Sequence, residues 1–294
     1  MDRIPTTDQM PFGDHALPGV VDSLRRMADH MPDGRLGLWG VSLLRKLCLA
    51  GREAPFDVTV FGSQKVRLHP GDNRCEKRAF AGIHLWDAEE RDFLDTLVAR
   101  AEGDFCFVDA GANVGLYTLS VRAACQARGV ALKAVAVEPD PVNAGRLRFN
   151  LAASGASDVV HAPVALGAEA GSVRFASGGL SNRGEARVAE SGDFEVPMRP
   201  LLDVVRDAGL PRIDAMKMDI EGVELPVLTA FLAHAPVALW PGHVVLETGR
   251  GPESEPVRLL VSRGYAPVLR TGINTILSLQ ARPARQQEPT DVET

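Results

Sequence analysis

The chain has 294 residues, 45% of them hydrophobic and only 5% aromatic, with a formal net charge of −6. That length buries a full core and suits one domain of about 180–200 residues plus an appendage. The acidic balance argues against a basic face that binds nucleic acid by neutralising phosphates, so no nucleic-acid partner is expected.

The first fifteen residues are polar, carry Pro5 and Pro11, and show no signal peptide; they read as a mobile terminus. From Leu17 to Met31, Leu17, Val20, Val21, Leu24, Met27, Ala28 and Met31 recur at helical spacing, which predicts an amphipathic helix ending before Pro32. A second helix is predicted over Leu38 to Ala50; its apolar run is broken by Arg45 and Lys46 and is too short to span a bilayer. Phe56 to Phe61 and Lys65 to His69 alternate around Gly62-Ser63, as a β-hairpin does. A helix over Asp87 to Arg100 starts with Asp87 and Glu90 at capping-box spacing. Residues 1–100 are therefore expected to form a helix-and-hairpin extension.

From Phe105 onward strands and helices alternate. Strands are predicted at Phe105–Val108, Leu132–Val137, Asp158–Leu166, Ile213–Asp219 and His243–Glu247. Helices follow Gly115, Pro139 and Val223, with others at Leu201–Ala208 and Glu253–Arg263. A β-rich insertion, Ser172–Phe175 and Phe194–Pro197, flanks the loop Gly178–Gly184. The chain closes on a hairpin, Tyr265–Arg270 with Ile273–Leu279, and residues 281–294 are polar and expected to be disordered. This order predicts an α/β fold, a Rossmann-like sheet with helices on both faces over residues 101–280. None of Cys48, Cys75, Cys106 and Cys125 forms a Cys-x-x-Cys pair; Cys106 and Cys125 read as small buried hydrophobes.

The segment Phe105-Cys-Phe-Val-Asp-Ala-Gly-Ala-Asn-Val-Gly115 carries the chemistry. A buried strand runs into a turn with Gly111 and Gly115, then into a helix, and Glu138 ends the next strand. In doubly wound sheets ligands bind at the carboxyl ends of the strands, where an acid on the second strand can hold a ribose diol. A dinucleotide site would want Gly-x-Gly-x-x-Gly for the pyrophosphate. Here the turn begins with Asp109, which repels a diphosphate and suits a cationic ammonium or sulfonium ligand. Tight strand–helix packing is the alternative use of the two glycines.

That turn resembles the first motif of class I methyltransferases that use S-adenosylmethionine, and the terminal hairpin agrees with their seven-stranded sheet. Three blocks together resemble the FkbM-type methyltransferase family: Asp109-Ala-Gly-Ala-Asn-Val-Gly115, Val137-Glu138-Pro139, and Lys217-Met-Asp-Ile-Glu-Gly-Val-Glu224. Glu247 at the end of strand five belongs to the same pattern. The resemblance implies a cytoplasmic enzyme acting on hydroxyls of polyketides, sugars or glycolipids. It implies that Asp109 faces the methionine amino group, that Gly111 and Gly115 allow a close turn, and that Asn113 is polar at the helix start. Glu138 would take both ribose hydroxyls with support from Asn143, and the adenine edge would be read near Leu166.

Asp219, Glu221 and Glu247 cluster at the ends of strands four and five, where one carboxylate can take the proton of an acceptor hydroxyl. Asp219 is expected to touch the cofactor as well. Three acids also suit a divalent cation, but nothing in the sequence indicates a chelating acceptor, and no metal is assigned. An NAD-type oxidoreductase and a non-catalytic Rossmann-like module are the competing readings; the glycine spacing opposes the first and the intact acidic blocks oppose the second. Residues 16–100 are expected to cover the acceptor site, to make a contact in a homo-oligomer, or to serve as plain cover for the sheet.

Overall fold

The computed structural model describes residues 10–176, 187–188, 194–249 and 254–280. Helices α1 (Gly19–Ala28) and α2 (Arg35–Leu49) pack together, and β1 (Phe56–Val60) and β2 (Gln64–Leu68) pair antiparallel. Helices α3 (Arg74–Phe80) and α4 (Ala88–Ala99) lead into β3 (Phe105–Ala110), α5 (Leu116–Arg128), β4 (Leu132–Val137), α6 (Pro141–Ala153) and β5 (Val159–Ala162). A separate sheet contains β6 (Ala165–Gly167), β7 (Gly171–Ala176), β8 (Arg187–Val188) and β9 (Phe194–Pro200), in the order β6-β9-β7-β8. Then come α7 (Leu201–Asp207), β10 (Ala215–Met218), α8 (Glu224–His234), β11 (His243–Glu247), α9 (Glu255–Ser262), β12 (Tyr265–Arg270) and β13 (Asn274–Leu279).

The main sheet has the order β12-β13-β11-β10-β3-β4-β5. Only β13 runs against its neighbours. Strand order reverses between β3 and β10, which opens a crevice at their carboxyl ends. The pleat splits the core in two. Phe105, Phe107, Ala134, Ala215 and Val245 face a core that continues into Val41, Val58, Phe80 and Leu94 of the extension. Cys106, Val108, Val135, Met216 and Leu246 face a second core shared with Val205, Phe231 and Leu260. By the same alternation Asp109, Lys217 and Glu247 take the side covered by α5 and the extension. Among the described residues, no helix is long and apolar enough to cross a membrane.

Several local expectations are corrected. Residues 10–15 are tied down rather than mobile. Asp57 Oδ2 accepts from the Gly13 and His15 amides at 2.7 and 3.1 Å, while Arg67 donates to the carbonyls of Met10 and Pro11. Most of the stripe predicted over Leu17 to Met31 meets the core: Val21 and Ala28 are buried and Leu17, Leu24 and Met31 pack against it, whereas Val20 and Met27 are mostly exposed and Arg25 is turned inward. Arg25 can occupy the core face because Asp22, Asp29 and the Thr59 carbonyl take its guanidinium. Helix α3 went unrecognised; Asn73 caps it by accepting from the Cys75 and Glu76 amides. The predicted capping box at Asp87 is absent. Asp87 sits left-handed at φ 43° with no cap bond, and Glu90 instead accepts from Thr271 and Asn274. The single strand expected over Asp158 to Leu166 divides at residues 163–164 into β5 and β6, which belong to different sheets. The predicted loop Gly178–Gly184 and the tail 281–294 lie outside the described residues.

Arg67 and Asp57 form a buried two-pronged ion pair, at 2.7 and 2.8 Å, that anchors the N-terminal segment to the hairpin. Burial opposes the charge on Asp57, but Arg67 and the two amides hold its carboxyl below the ordinary value. Asp57→Ala removes the carboxylate partner of a buried guanidinium and should cost about 3–5 kcal/mol in urea unfolding. It should also open residues 10–15 to limited proteolysis; an unchanged unfolding midpoint would contradict this anchoring role.

Candidate active site

The turn after β3 places three residues in left-handed backbone: Gly111 at φ 81°, Asn113 at 51° and Gly115 at 88°. A Cβ at Gly111 would lie 1.8 Å from the Asp219 carbonyl oxygen, and one at Gly115 would lie 2.5 Å from Leu147 Cδ1. The space these glycines leave is filled by the end of β10 and by α6, so protein packing alone requires them. Packed this way, the turn holds the Asn113 amide at 2.8 Å from Glu138 Oε2, while the Asp140 amide donates to Oε1 at 2.9 Å. Asn73 of the extension donates to Asn113 Oδ1 at 2.9 Å. A chain of hydrogen bonds thus links the cap of α3, the glycine turn and the acid that ends β4.

Burial pushes the Glu138 carboxyl up to about 8, against the two amides that favour its charge. Additional donors would stabilise its ionised form. Asp109 is 1% exposed, and its Oδ2 accepts from the Thr118 hydroxyl and amide at 2.6 and 3.0 Å. That oxygen ties it to the first turns of α5, and neither Asp109 nor Gly115 lines the cleft.

At the other end, Lys217 Nζ lies 3.2 Å from Asp219 Oδ2 and 5.3 Å from the centroid of the Tyr117 ring. Lys217 stands beside Asp109 in the β3–β10 ladder. Burial works against its charge, but Asp219, Asp109 and Glu247 together raise its pKa above the ordinary lysine value. Burial, then a hydrogen bond donated to the ionised Asp219 and the charge of that carboxylate, pushes Glu247 up to about 8. Asp219 moves down: burial opposes this, but Lys217 and Glu247 favour its ionised form. The two carboxyls therefore share a single proton near neutral pH, carried on the Glu247 side.

A cleft of about 340 Å³ joins the two ends. Gly111, Asn113, Glu138, Asn143 and Leu166 line it, as do Asp219, Glu221 and Glu247. Asn73, Asp87, Tyr117 and Asn274 also line it and were not singled out from sequence as site residues. Tyr117 donates to Asp87 Oδ2 at 3.0 Å, and Arg78 meets Oδ1 at the same distance. Asn274 stands opposite Glu247 in the β11–β13 ladder and is held by Glu90. The spacing of Asn73 and Glu76 was a readable helix-start signal; for Tyr117 and Asn274 only tertiary pairing reveals the position.

The cleft falls within the size range of ligand sites, about 300–1,000 Å³. Its turn is backed by carboxyls, which disfavours phosphate. An acceptor-only carboxylate at Glu138 suits vicinal hydroxyls, and the Asp219–Glu247 end suits a cationic centre. These residues fit S-adenosylmethionine. Among the described residues, no group of three or more His, Cys, Asp or Glu side chains could hold a metal ion.

No curated protein matches the chain. Solved structures with similar folds include the precorrin-6y C5,15-methyltransferase of Geobacter metallireducens, 15% identical with a TM-score of 0.40, covering 64% of this chain and 86% of that one. The TYW2 protein of M. jannaschii, solved with AdoMet, is 14% identical with a TM-score of 0.40, covering 78% and 86%. The tRNA m1G37 methyltransferase of M. jannaschii is 12% identical with a TM-score of 0.40, covering 79% and 55%. Residues 109–260, just over half of the chain, match the methyltransferase FkbM domain. The seven-stranded sheet with its antiparallel terminal hairpin agrees with the class I methyltransferase fold predicted from the sequence. The chain belongs to the FkbM methyltransferase family, and its cofactor is S-adenosylmethionine.

Proposed function

We propose that the protein methylates a hydroxyl oxygen of a small molecule or glycan, of polyketide, sugar or glycolipid type. The observation that carries this reading is the Asp219–Glu247 pair beside Lys217, at the far end of a cleft whose other end holds Glu138. An alcohol is a poor nucleophile until its proton leaves, and a coupled carboxyl pair that has lost its own proton can accept it.

Bound S-adenosylmethionine supplies an electrophilic methyl group on sulfur. Glu138 takes the ribose hydroxyls, Asn113 and Asn143 frame that pocket, and the backbone at Leu166 meets the adenine edge. Gly111 keeps the turn against β10. Asp109 acts at one remove, holding the start of α5 through Thr118. Asp219 faces the cationic centre, with Lys217 fixing its orientation. The acceptor oxygen would lie against Asp219 and Glu247 and give up its proton to the pair, while the methyl carbon exchanges its bond to sulfur for one to oxygen and S-adenosylhomocysteine leaves as the neutral thioether. Glu221, exposed on the turn after β10 at φ 55°, stands at the rim of this end. The extension closes the acceptor side through Asp87 and its partner Tyr117. Holding the reacting atoms in line and out of water can supply up to roughly 7–11 kcal/mol of barrier lowering.

Transfer of labelled methyl to a panel of sugars, glycolipids and polyketides tests the reading, with transfer RNA and ribosomal RNA as comparison acceptors. Labelling of a hydroxyl in the first group is expected; labelling confined to RNA would sink it.

Glu138→Ala should weaken S-adenosylhomocysteine binding at least ten-fold in calorimetry while leaving the fold intact. Hydroxyl donors favour the ionised carboxylate, so wild-type affinity should rise as pH rises through about 8. A pH-independent wild-type affinity would remove the ribose assignment.

Glu247→Gln and Asp219→Asn should each lower turnover by about 10²-fold or more, and Glu221→Gln, at the exposed rim, by less. The Glu247 substitution should keep cofactor affinity. The proton on Glu247 blocks the pair, so wild-type kcat/KM should climb as pH rises through about 8 and lose that inflection in Glu247→Gln. Wild-type rates in all three amide variants would leave orientation as the sole source of catalysis.

A further inference from the structure

Helix α2 leaves much of its apolar surface in solvent. Leu36 is 84% exposed and Trp39 68%, and Leu43 and Leu47 are also exposed. At about 3.6 residues per turn these four form one stripe, with Arg35 and Lys46 on its border. Val41 and Cys48 hold the opposite side of the helix in the core. Val41 packs so closely on Gly82 that a Cβ there would lie 2.5 Å from Val41 Cγ1. The stripe is thus a fixed surface of the folded protein.

Charge distinguishes the surface that fits it. Residues 34–52 carry Arg35, Arg45, Lys46 and Arg52 and no carboxylate, in a chain whose net charge is −6. Leucines and a tryptophan bordered by cations are the pattern of a helix lying in a membrane interface. Self-association about a two-fold axis would set these cations against their own copies.

We propose that α2 seats the protein on an anionic lipid surface, with Leu36, Trp39, Leu43 and Leu47 in the acyl boundary and Arg35 and Lys46 at the headgroup phosphates. This seating is independent of the methyl acceptor. The cations give selectivity for anionic over neutral bilayers, and salt weakens the attraction.

The test is co-sedimentation of the full chain with phosphatidylcholine vesicles containing phosphatidylglycerol, against vesicles of phosphatidylcholine alone. Trp86 and Trp240 are buried, so a blue shift in tryptophan emission on binding reports Trp39 and should vanish in Trp39→Phe. Binding to the anionic vesicles should weaken at least ten-fold in the Leu43→Glu/Leu47→Glu double variant, and also in Arg35→Glu/Lys46→Glu. Both variants should keep the wild-type rise in melting temperature with S-adenosylhomocysteine, which shows that the fold and the cofactor site survive independently of the surface. Failure of the wild type to sediment with anionic vesicles would overturn the proposal. So would equal binding to neutral vesicles, or a dimer that the leucine substitutions dissociate while no vesicle binding is seen.

Discussion

A buried ammonium must be paired, and much of the site follows from the pairing of Lys217. Asp109 lies beside it in the ladder, Asp219 two residues on, and Glu247 on the neighbouring strand. One cation among three carboxyls leaves negative charge in excess, and burial raises the proton affinity of both Asp109 and Glu247. Asp219 stays ionised because it is the partner closest to the ammonium. The same pleat that sends these side chains to one face sends Phe107, Ala215 and Val245 there as core, so the reactive cluster has a rigid apolar base.

The second constraint is the contact between the glycine turn and the end of β10. Gly111 brings the turn against the Asp219 backbone, so the halves of the cleft are fixed to each other by main chain. The extension joins the same frame from outside. Asn73 holds Asn113, Glu90 holds Asn274, and Asp87 receives Tyr117. The extension is therefore structurally continuous with the cleft, and a change at the cap of α3 is felt at Glu138 through two hydrogen bonds.

The sheet was legible because its signals are local: short apolar runs, glycines at turns, and an acid at the ends of β3, β4, β10 and β11. The antiparallel terminal hairpin followed from the same pattern, whereas the order of strands across the sheet depends on long-range pairing. The acids at 138, 219, 221 and 247 were found because motif spacing places them at one edge of a parallel sheet. Asp109 shows where such reading ends. Its position in the motif suggested a ligand-facing group, whereas Thr118, nine residues later, takes its carboxylate. Asp87 was read as a helix cap because capping-box spacing is local, but its partners Arg78 and Tyr117 come from other elements. In the stripe of α1 only Val20 and Met27 were misplaced, and Arg25, a residue that rarely enters a core, takes an inward position because two carboxylates match it.

The central claim is that Asp219 and Glu247 share one proton beside Lys217. Carbon-13 NMR of the glutamate side-chain carboxyls, titrated in the protein without acceptor, measures it directly. Glu247 should titrate near pH 8 and move toward the ordinary carboxylate range in Asp219→Asn. A Glu247 signal that already titrates in the ordinary range in the wild type would contradict the shared proton and the base it provides.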